Sequence, residues 1–521
     1  MMVYAKTLTI LVNQMRLFFV FTAAFVSIPA FADSSPRDWT HEYDELGEQR
    51  TTGTTEAESE ADLFSAPVSW DSFIAQLPST KFIKWGLSWN GMSPYEKNSD
   101  ALTTMSPAST QKIITSTTAL RVLGAEFRFQ NSFHARFDEI TGEASNAEFS
   151  VSGDPTWGHA AYGEKLMDRM KKLTDVLIKS GVKKVSGEIS VVLTQPRLAQ
   201  HERPEQWKQS WLLECYATLP TPVILNGNCA TFKVSATHRA VWTTPGVSTP
   251  LDVKLSKARS TAVEISPVLD DFGRVAKYEI RGTFGVASSF TVPVQNNIEW
   301  LKNLFVIALA DAKIAYEVKQ KLVKPTLHAD LSDLEVDLSS KTLREILGPF
   351  LEKSINLIGD RLYLEAAYQL GSVKFDEPQL RSLIDVTHDS TSIDGAIIYD
   401  GSGLISADQI AVKSLRAYLA GLRDQPYFND FLHALPVAGK TGTIRSRLTG
   451  ALTNGRVFAK TGTIDGVANL AGYFLKADLT YEPFVVFTHS NLAASTVRTQ
   501  MDKIVTEIAR QNTAIGLLIK P

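Results

Sequence analysis

The pattern of apolar residues changes character twice along the chain. Residues 113–123 carry a mostly apolar helix pattern ending at Gly124, and 159–180 a charged amphipathic one stopped at Gly181. From 183 to 305, valine, threonine and turn residues dominate, and short alternating runs at 230–234 and 278–281 read as strands. Beyond Leu338 the helix pattern returns, clearest at 343–352. Apolar runs at 396–399, 467–474 and 484–487 then read as sheet strands. Helix and sheet on both sides of a β-rich middle predict one domain interrupted by an insertion. The length agrees, because 521 residues exceed what one ordinary core encloses and call for two or three domains.

The N-terminus predicts export. Met15-Arg16 precedes an apolar run over 17–28 and then Ala30-Phe31-Ala32. A positive residue, a short apolar core and small residues at an A-x-A site describe a secretory signal peptide over 1–32. The run is short for a bilayer span, and the competing reading is a buried N-terminal helix. No cysteine follows the cleavage site to carry a lipid, and no second long apolar segment follows. Residues 33–66 are polar and acidic, too poor in apolar side chains to order themselves, and read as a flexible lead. The rest is globular in composition, 44% hydrophobic and 21% charged. A net charge of -3 gives no reason to expect a nucleic-acid partner.

Export gives meaning to the two cysteines, Cys215 and Cys229. In an oxidising compartment they are placed to close a local disulfide, against the alternative of two buried free thiols. A loop of about fifteen residues stabilises by about 3 kcal/mol in the chain-entropy account.

Three short strings carry chemistry. Pro107-Ala108-Ser109-Thr110-Gln111-Lys112 places a serine and a lysine three apart, after a proline suited to a first helical turn. At that spacing the side chains share a helix face. A serine hydroxyl becomes a nucleophile when a neighbouring base takes its proton, and a lysine whose charge is disfavoured is such a base. Alone the pair is weak, and Ser180 and Lys183 repeat it by chance. Ser354-Ile355-Asn356 and Lys460-Thr461-Gly462-Thr463 follow in order, each with a decoy: Ser88-Trp89-Asn90 and Lys440-Thr441-Gly442-Thr443. Ser-x-x-Lys, Ser-x-Asn and Lys-Thr-Gly in that order form the signature of active-site serine penicillin-binding proteins and serine β-lactamases.

From about Trp70 to its end the chain resembles the low-molecular-mass class C penicillin-binding proteins. This is the D-alanyl-D-alanine carboxypeptidase/endopeptidase family typified by penicillin-binding protein 4. The segments that carry the resemblance are SPASTQK at 106–112, SGDPTW at 152–157, KSIN at 353–356, DGSGL at 400–404 and AKTGTIDGVANLAGYF at 459–474. The last places Lys460 in the family's position. Lys440 falls where the family has a similar glycine-threonine loop without the lysine.

The resemblance implies a mixed α/β (α+β) fold: a β-lactamase/transpeptidase-like serine domain with an antiparallel sheet flanked by helices. About 240 residues separate Lys112 from Ser354, and the family fills this gap with two nested β-rich inserted domains. The expected division is a catalytic domain at 67–126 plus 335–521, inserted domain II at 127–212 plus 306–334, and inserted domain III at 213–305.

The implied activity is a periplasmic serine D,D-peptidase. It cleaves the terminal D-Ala-D-Ala bond of peptidoglycan stem peptides, and D-Ala cross-links, through an acyl-enzyme on Ser109. Lys112 is the expected base, with Lys460 as a nearby cation, although the family leaves open which lysine serves. Ser354 would relay a proton to the departing amine, and Asn356 would orient Lys112 and the substrate amide. Thr461 and Thr463 would bind the terminal carboxylate, and Gly462 would let substrate lie close to a sheet edge. The N–H groups of Ser109 and Thr463 would form the oxyanion hole. No cofactor or metal is expected. β-Lactams would act as inhibitors, and a homodimer or cell-wall enzyme partners remain compatible with the family.

The chain also departs from its family. After DGSGL the family has a serine and, three residues on, an asparagine, where this chain has Ile405 and Asp408. Paired aspartates usual after the charged helix are replaced by Val191-Val192-Leu193-Thr194, and Ile355 replaces a polar residue. Three rival readings are a serine β-lactamase, a metallopeptidase and a catalytically silent peptidoglycan-binding protein. The first lacks a Glu-x-x-Leu-Asn string for deacylation. The second lacks a His-Glu-x-x-His pattern among nine histidines. The third gives no reason for three intact motifs.

Overall fold

The first ordered strand pairs with a strand from the far end of the chain. Strand β1 (Ile83–Trp89) lies antiparallel to β4 (Tyr481–Ser490), which continues to β3 (Val467–Leu475) and β2 (Val457–Ile464). The order is β1-β4-β3-β2, antiparallel throughout, so β2 is an edge strand. A computed structural model describes residues 82–89 and 104–518, with 72, 73 and 76 besides, except 197, 199–202, 205, 236–238, 272, 318–330, 372–392 and 394–395. The leader expected at 1–32 and the acidic lead expected at 33–66 lie outside these residues. All described elements belong to the unit Ala57–Pro521.

Both faces of this sheet are buried, which explains why β3 reads as an apolar run, broken only by Asn469, rather than an alternating one. One face packs Leu470, Phe484 and Val486 against Val497, Met501, Ile504 and Ile508 of helix α4 (Ala494–Leu518). On the other, Ala471, Tyr473 and Phe487 meet the helix Val412–Leu422, where the Tyr473 hydroxyl donates to the Leu419 carbonyl at 2.8 Å, and the same core continues into helices α1 (Lys112–Leu123), α2 (Leu343–Lys353) and α3 (Asn356–Gln369). Each large side chain buried this way contributes about 1.5–3 kcal/mol.

Helix α1 forms against its own propensities. Its threonines and isoleucines are poor helix formers, but nine of its first residues, 112–120, are buried. The hydroxyls of Ser116 and Thr117 bond back to the carbonyls of Lys112 and Ile113 at 2.7 and 2.9 Å, so no polar group is stranded. Helix α2 opens on a capping box between Thr342 and Glu345 and ends at Ser354 in the left-handed region, φ 56°.

Between α1 and α2 the chain builds two further cores. A six-stranded sheet joins Ser132–Asp138, Glu143–Val151, Lys184–Ser186, Ser190–Leu193, Ala315–Glu317 and Leu331–Asp337, and helices Asp168–Lys179 and Asn297–Asp311 pack on it. Two three-stranded sheets, lying between Cys229 and Pro293, share a separate core of Phe232, Val234, Tyr278, Ile280, Phe284 and Val292. The strands anticipated at 230–234 and 278–281 are part of it.

Two elements differ from the sequence reading. The helix expected over 159–180 is a short 3-10 turn, Ala160–Tyr162, followed by Asp168–Lys179. Gly158 and Gly163 hold left-handed conformations, φ 67° and 66°, that an α-helix cannot contain. The run 396–399 forms only an isolated bridge between Ile397 and Gln409. Its residues are apolar because Ala396 and Ile398 fill the main core, and the turn at Asp400 stops any longer pairing. Among the described residues, no helix is long and apolar enough to cross a membrane.

Candidate active site

Ser109 sits in a 3-10 turn, Ala108–Gln111, that runs directly into α1. The turn is held from several sides. The Thr110 hydroxyl donates to the Pro107 carbonyl at 2.6 Å, and the Asn469 amide on β3 donates to the carbonyls of Ser106 and Pro107 at 2.9 and 3.0 Å. Ala108, fully buried, adopts φ 45°, a left-handed conformation that costs about 1–3 kcal/mol without glycine and persists where its surroundings fix it.

Lys112 is fully buried at the start of α1. Its Nζ lies 2.9 Å from Ser109 Oγ, 2.7 Å from Asn356 Oδ1 and 2.6 Å from the Ser402 carbonyl. A neutral amine has two N–H bonds and one lone pair. Asn356 and Ser402 offer only acceptor oxygens and take both hydrogens, so the lone pair faces the Ser109 hydroxyl. Burial pulls the Lys112 pKa down to about 8, while the buried Asp360 and Asp400 carboxyls oppose the shift.

Ser354 and Asn356 come from the break between α2 and α3. The left-handed cap at Ser354 turns the chain so that both polar groups reach the same site. Lys460, from β2 and fully buried, donates to Ser354 Oγ and to the Thr461 carbonyl, both at 2.9 Å. Burial, and then the charge of Lys112, hold its ammonium well below the usual lysine range. Two ammonium groups so placed disfavour each other.

The structure brings these residues together as two hydrogen-bonded sets, Ser109-Lys112-Asn356 and Ser354-Lys460, close enough for the charge of Lys112 to act on Lys460. Thr461, Gly462 and Thr463 continue along β2 beside them. Gly462 serves a purpose the sequence did not suggest. A Cβ there would meet the Pro107 carbonyl oxygen at 2.6 Å and the Thr110 nitrogen at 3.1 Å, so glycine lets the Ser109 turn dock on the strand.

Residues without an assigned role in the sequence complete the site. Asp400, fully buried, accepts the backbone N–H groups of Ser402, Gly403, Leu404 and Ile405, at 2.9, 3.1 and 3.0 Å for the first, third and fourth. This nest aims the Ser402 carbonyl at Lys112. The Asp360 carboxylate accepts the Gly401 N–H at 3.1 Å. The DGSGL segment was recognisable, but its task of placing a carbonyl depends on a bend that no residue pattern announces.

The intervening segment also reaches the site. Asn356 Nδ2 donates to the Tyr216 carbonyl at 2.9 Å. Cys215, the preceding residue, is joined to Cys229 in a disulfide. Trp211 packs edge-on against both Tyr216 and Trp207, and Trp207 joins Leu404 and Ile405 in a small apolar cluster. Lys208 pairs with Asp465 at 2.7 Å, just past the end of β2.

The decoy strings lie elsewhere, with one exception. Ser180 caps the helix Asp168–Lys179, and Ser88 is buried in β1. Lys440 is exposed, yet Thr443 from the same string accepts a hydrogen bond from Thr461 Oγ1 at 2.9 Å. Among the described residues, no group of three or more His, Cys, Asp or Glu side chains is placed to hold a metal ion.

Residues 90–508 match the D-Ala-D-Ala carboxypeptidase 3 (S13) family. The chain belongs to that family. A D-alanyl-D-alanine carboxypeptidase DacB of Haemophilus influenzae is 25% identical over 414 residues, 74% of this chain and 80% of that one. A D-alanyl-D-alanine carboxypeptidase of an Actinomadura species is 26% identical over 401 residues, 70% of each chain. The crystal structure of penicillin binding protein 4 from Haemophilus influenzae superposes with a TM-score of 0.65 at 20% identity, covering 85% of this chain and 99% of that one. The S13 chain described here therefore shares the penicillin-binding protein 4 fold, as its motifs implied.

Proposed function

We propose that this S13 family member is a serine D,D-peptidase with Ser109 as nucleophile. The observation that carries the reading is the three-way contact of Lys112 with Ser109, Asn356 and Ser402. It leaves the amine's lone pair for the serine proton and nothing else. The substrate is a peptidoglycan stem peptide ending in D-Ala-D-Ala, or a D-Ala cross-link.

Ser109 Oγ attacks the carbonyl carbon of the penultimate D-alanine while its proton passes to Lys112. The N–H groups of Ser109 and Thr463 hold the oxyanion, each such donor contributing about 3–4 kcal/mol to barrier lowering. The C–N bond breaks, and the proton held by Lys112 passes through Ser354, whose hydroxyl is tied to Lys460, to the departing amine, which leaves Lys112 neutral. Water then attacks the acyl carbon while Lys112 takes its proton, and Lys112 returns that proton to Ser109 Oγ as the acid leaves. The pair Lys112 and Lys460 shares one positive charge near neutral pH, because a second would be buried beside the first.

Export to the periplasm through residues 1–32, and a division into a catalytic domain and two nested inserted domains, belong to the same proposal. The two extra cores between α1 and α2 support the division. A β-lactam would acylate Ser109 and leave slowly.

Mass spectrometry after incubation with a labelled penicillin tests the reading. The expected result is one adduct on the peptide containing Ser109, absent in Ser109→Ala. An adduct elsewhere, or none, overturns it, and rapid turnover of penicillin would favour the β-lactamase alternative.

A further inference from the structure

Asn469 interrupts the apolar run of β3, and it is buried. It lies directly opposite Gly462 of β2, and residues so paired project to the same face of a sheet. The two form a seat for the Ser109 turn. Gly462 leaves the room, and Asn469 supplies the grip, its amide donating to the Ser106 and Pro107 carbonyls at 2.9 and 3.0 Å. The Pro107 carbonyl also closes the turn, accepting the Thr110 N–H at 3.2 Å. The Asn469 amide cannot flip without loss, because its oxygen accepts the Thr488 N–H of β4 at 3.0 Å. Gly403 lies against the same turn, where a Cβ would run into the Ala108 carbonyl.

A buried amide costs free energy unless its hydrogen bonds are made, and a hydrocarbon side chain would fill the same space without that cost. Both donors of Asn469 go to the turn rather than to the sheet. Between the gripped carbonyls and the nucleophile stands Ala108, whose left-handed φ of 45° persists only where its surroundings fix it. The peptide plane before Ala108 carries the Pro107 carbonyl, held by Asn469 and Thr110. The plane after it carries the Ala108 carbonyl, set against Gly403, and the Ser109 N–H. Resting on the peptidase reading above, we propose that Asn469 is a positioning residue for acyl transfer: its grip keeps Ala108 left-handed and so aims the Ser109 N–H at the oxyanion. Without that grip Ala108 relaxes towards negative φ, and the N–H turns away from the place where charge develops. The loss falls on the step that forms the oxyanion, not on the binding that precedes it.

The test follows acylation by a labelled penicillin over a range of concentrations, which separates the saturating rate from the half-saturating concentration. Asn469→Ala is expected to lower the saturating rate by about 10- to 100-fold and to change the half-saturating concentration by less than about threefold. Asn469→Asp keeps the size of the side chain and still accepts the Thr488 N–H, but as a carboxylate it has no donor for the two carbonyls. It is expected to be at least as slow, and it decides the question should Asn469→Ala not fold. Tyr473→Phe is the control, because it removes a buried hydrogen bond from the same strand, to the Leu419 carbonyl, without touching the turn. It is expected to acylate at the wild-type rate. A wild-type rate in either Asn469 variant, slowing that lies in the half-saturating concentration alone, or equal slowing in Tyr473→Phe overturns the assignment while the peptidase reading stands. A wild-type protein that penicillin does not acylate overturns the peptidase reading and this assignment with it.

Discussion

Asn356 donates its amide N–H to the Tyr216 carbonyl at 2.9 Å while its oxygen accepts from Lys112 at 2.7 Å. One side chain thus links the Lys112 amine to a loop from the intervening segment. The amide cannot rotate without losing both bonds, so the Tyr216 loop fixes which end of Asn356 faces Lys112.

That loop is closed by the disulfide between Cys215 and Cys229. Replacing both cysteines by serine is expected to lower stability by about 3 kcal/mol, the entropy of a loop this size. It is also expected to slow acylation of Ser109, because Tyr216 no longer holds Asn356. Thermal unfolding and penicillin acylation rates measured on the same variant separate the two effects. A destabilised variant that acylates at the wild-type rate would show that the loop does not position Asn356.

The rate of acylation should depend on pH through Lys112. Its ammonium is inert as a base, and its pKa is pulled down to about 8 by burial. The logarithm of kcat/KM is therefore expected to rise with pH and to level off above about 8. Stability moves in the same sense. A lysine whose folded pKa lies below its unfolded value of 10.5 penalises the fold fully below about 8, and the penalty fades as pH rises towards 10.5. Lys112→Arg keeps the charge permanently and is expected to lose about 10²- to 10⁴-fold in acylation. A pH-independent rate between 6 and about 9 would exclude Lys112 as the titrating base.

Much of the site was legible because its chemistry is written in short strings with fixed order. Ser109, Lys112, Ser354, Asn356 and Lys460 meet as the strings suggested. The sheet strands at 467–474 and 484–487 were legible because burial on both faces leaves apolar runs, interrupted only at Asn469. What stayed hidden depends on chain geometry rather than residue type. Ser402 acts through a carbonyl, Tyr216 through another, and Thr443 looked like a decoy because its string copies the true one. The helix expected at 159–180 failed for a related reason. Its periodicity was real from Asp168 onward, and only the signs of φ at Gly158 and Gly163 ruled out the first turns.

Gly462→Ala tests the docking of the Ser109 turn on β2. The added methyl group would meet the Pro107 carbonyl oxygen at 2.6 Å, and that backbone is pinned by Asn469. The turn must move, carrying Ser109 away from Lys112. Acylation is expected to fall by about 100-fold, as for a misplacement of about 1 Å. The melting temperature should change less than for the double cysteine variant, since the core is untouched. Normal acylation in Gly462→Ala would show that the turn tolerates the shift.

Asp408 offers the last prediction, because here the chain differs from its family's asparagine. The side chain is fully buried, and Oδ1 accepts the Tyr399 N–H at 2.8 Å. The protonated side chain also shares a hydrogen bond with the Asp400 carboxyl. Burial, and then the neighbouring charges of Asp400 and Asp360, push its pKa well above the usual carboxylate range. Asn is the neutral isostere of the acid that this environment demands. A carboxyl with a raised folded pKa stabilises the fold only where it stays protonated. Its contribution is complete below the unfolded value near 4 and is lost as pH climbs through the raised folded value. Asp408→Asn needs no proton and escapes this loss. The variant is expected to match the wild type near pH 4 and to exceed it in stability at pH 8, by about 1–3 kcal/mol, the ordinary cost of a buried polar group that has lost its hydrogen bond. Melting curves of both proteins across that range decide it, and a difference that does not change with pH would show that Asp408 does not titrate in the fold.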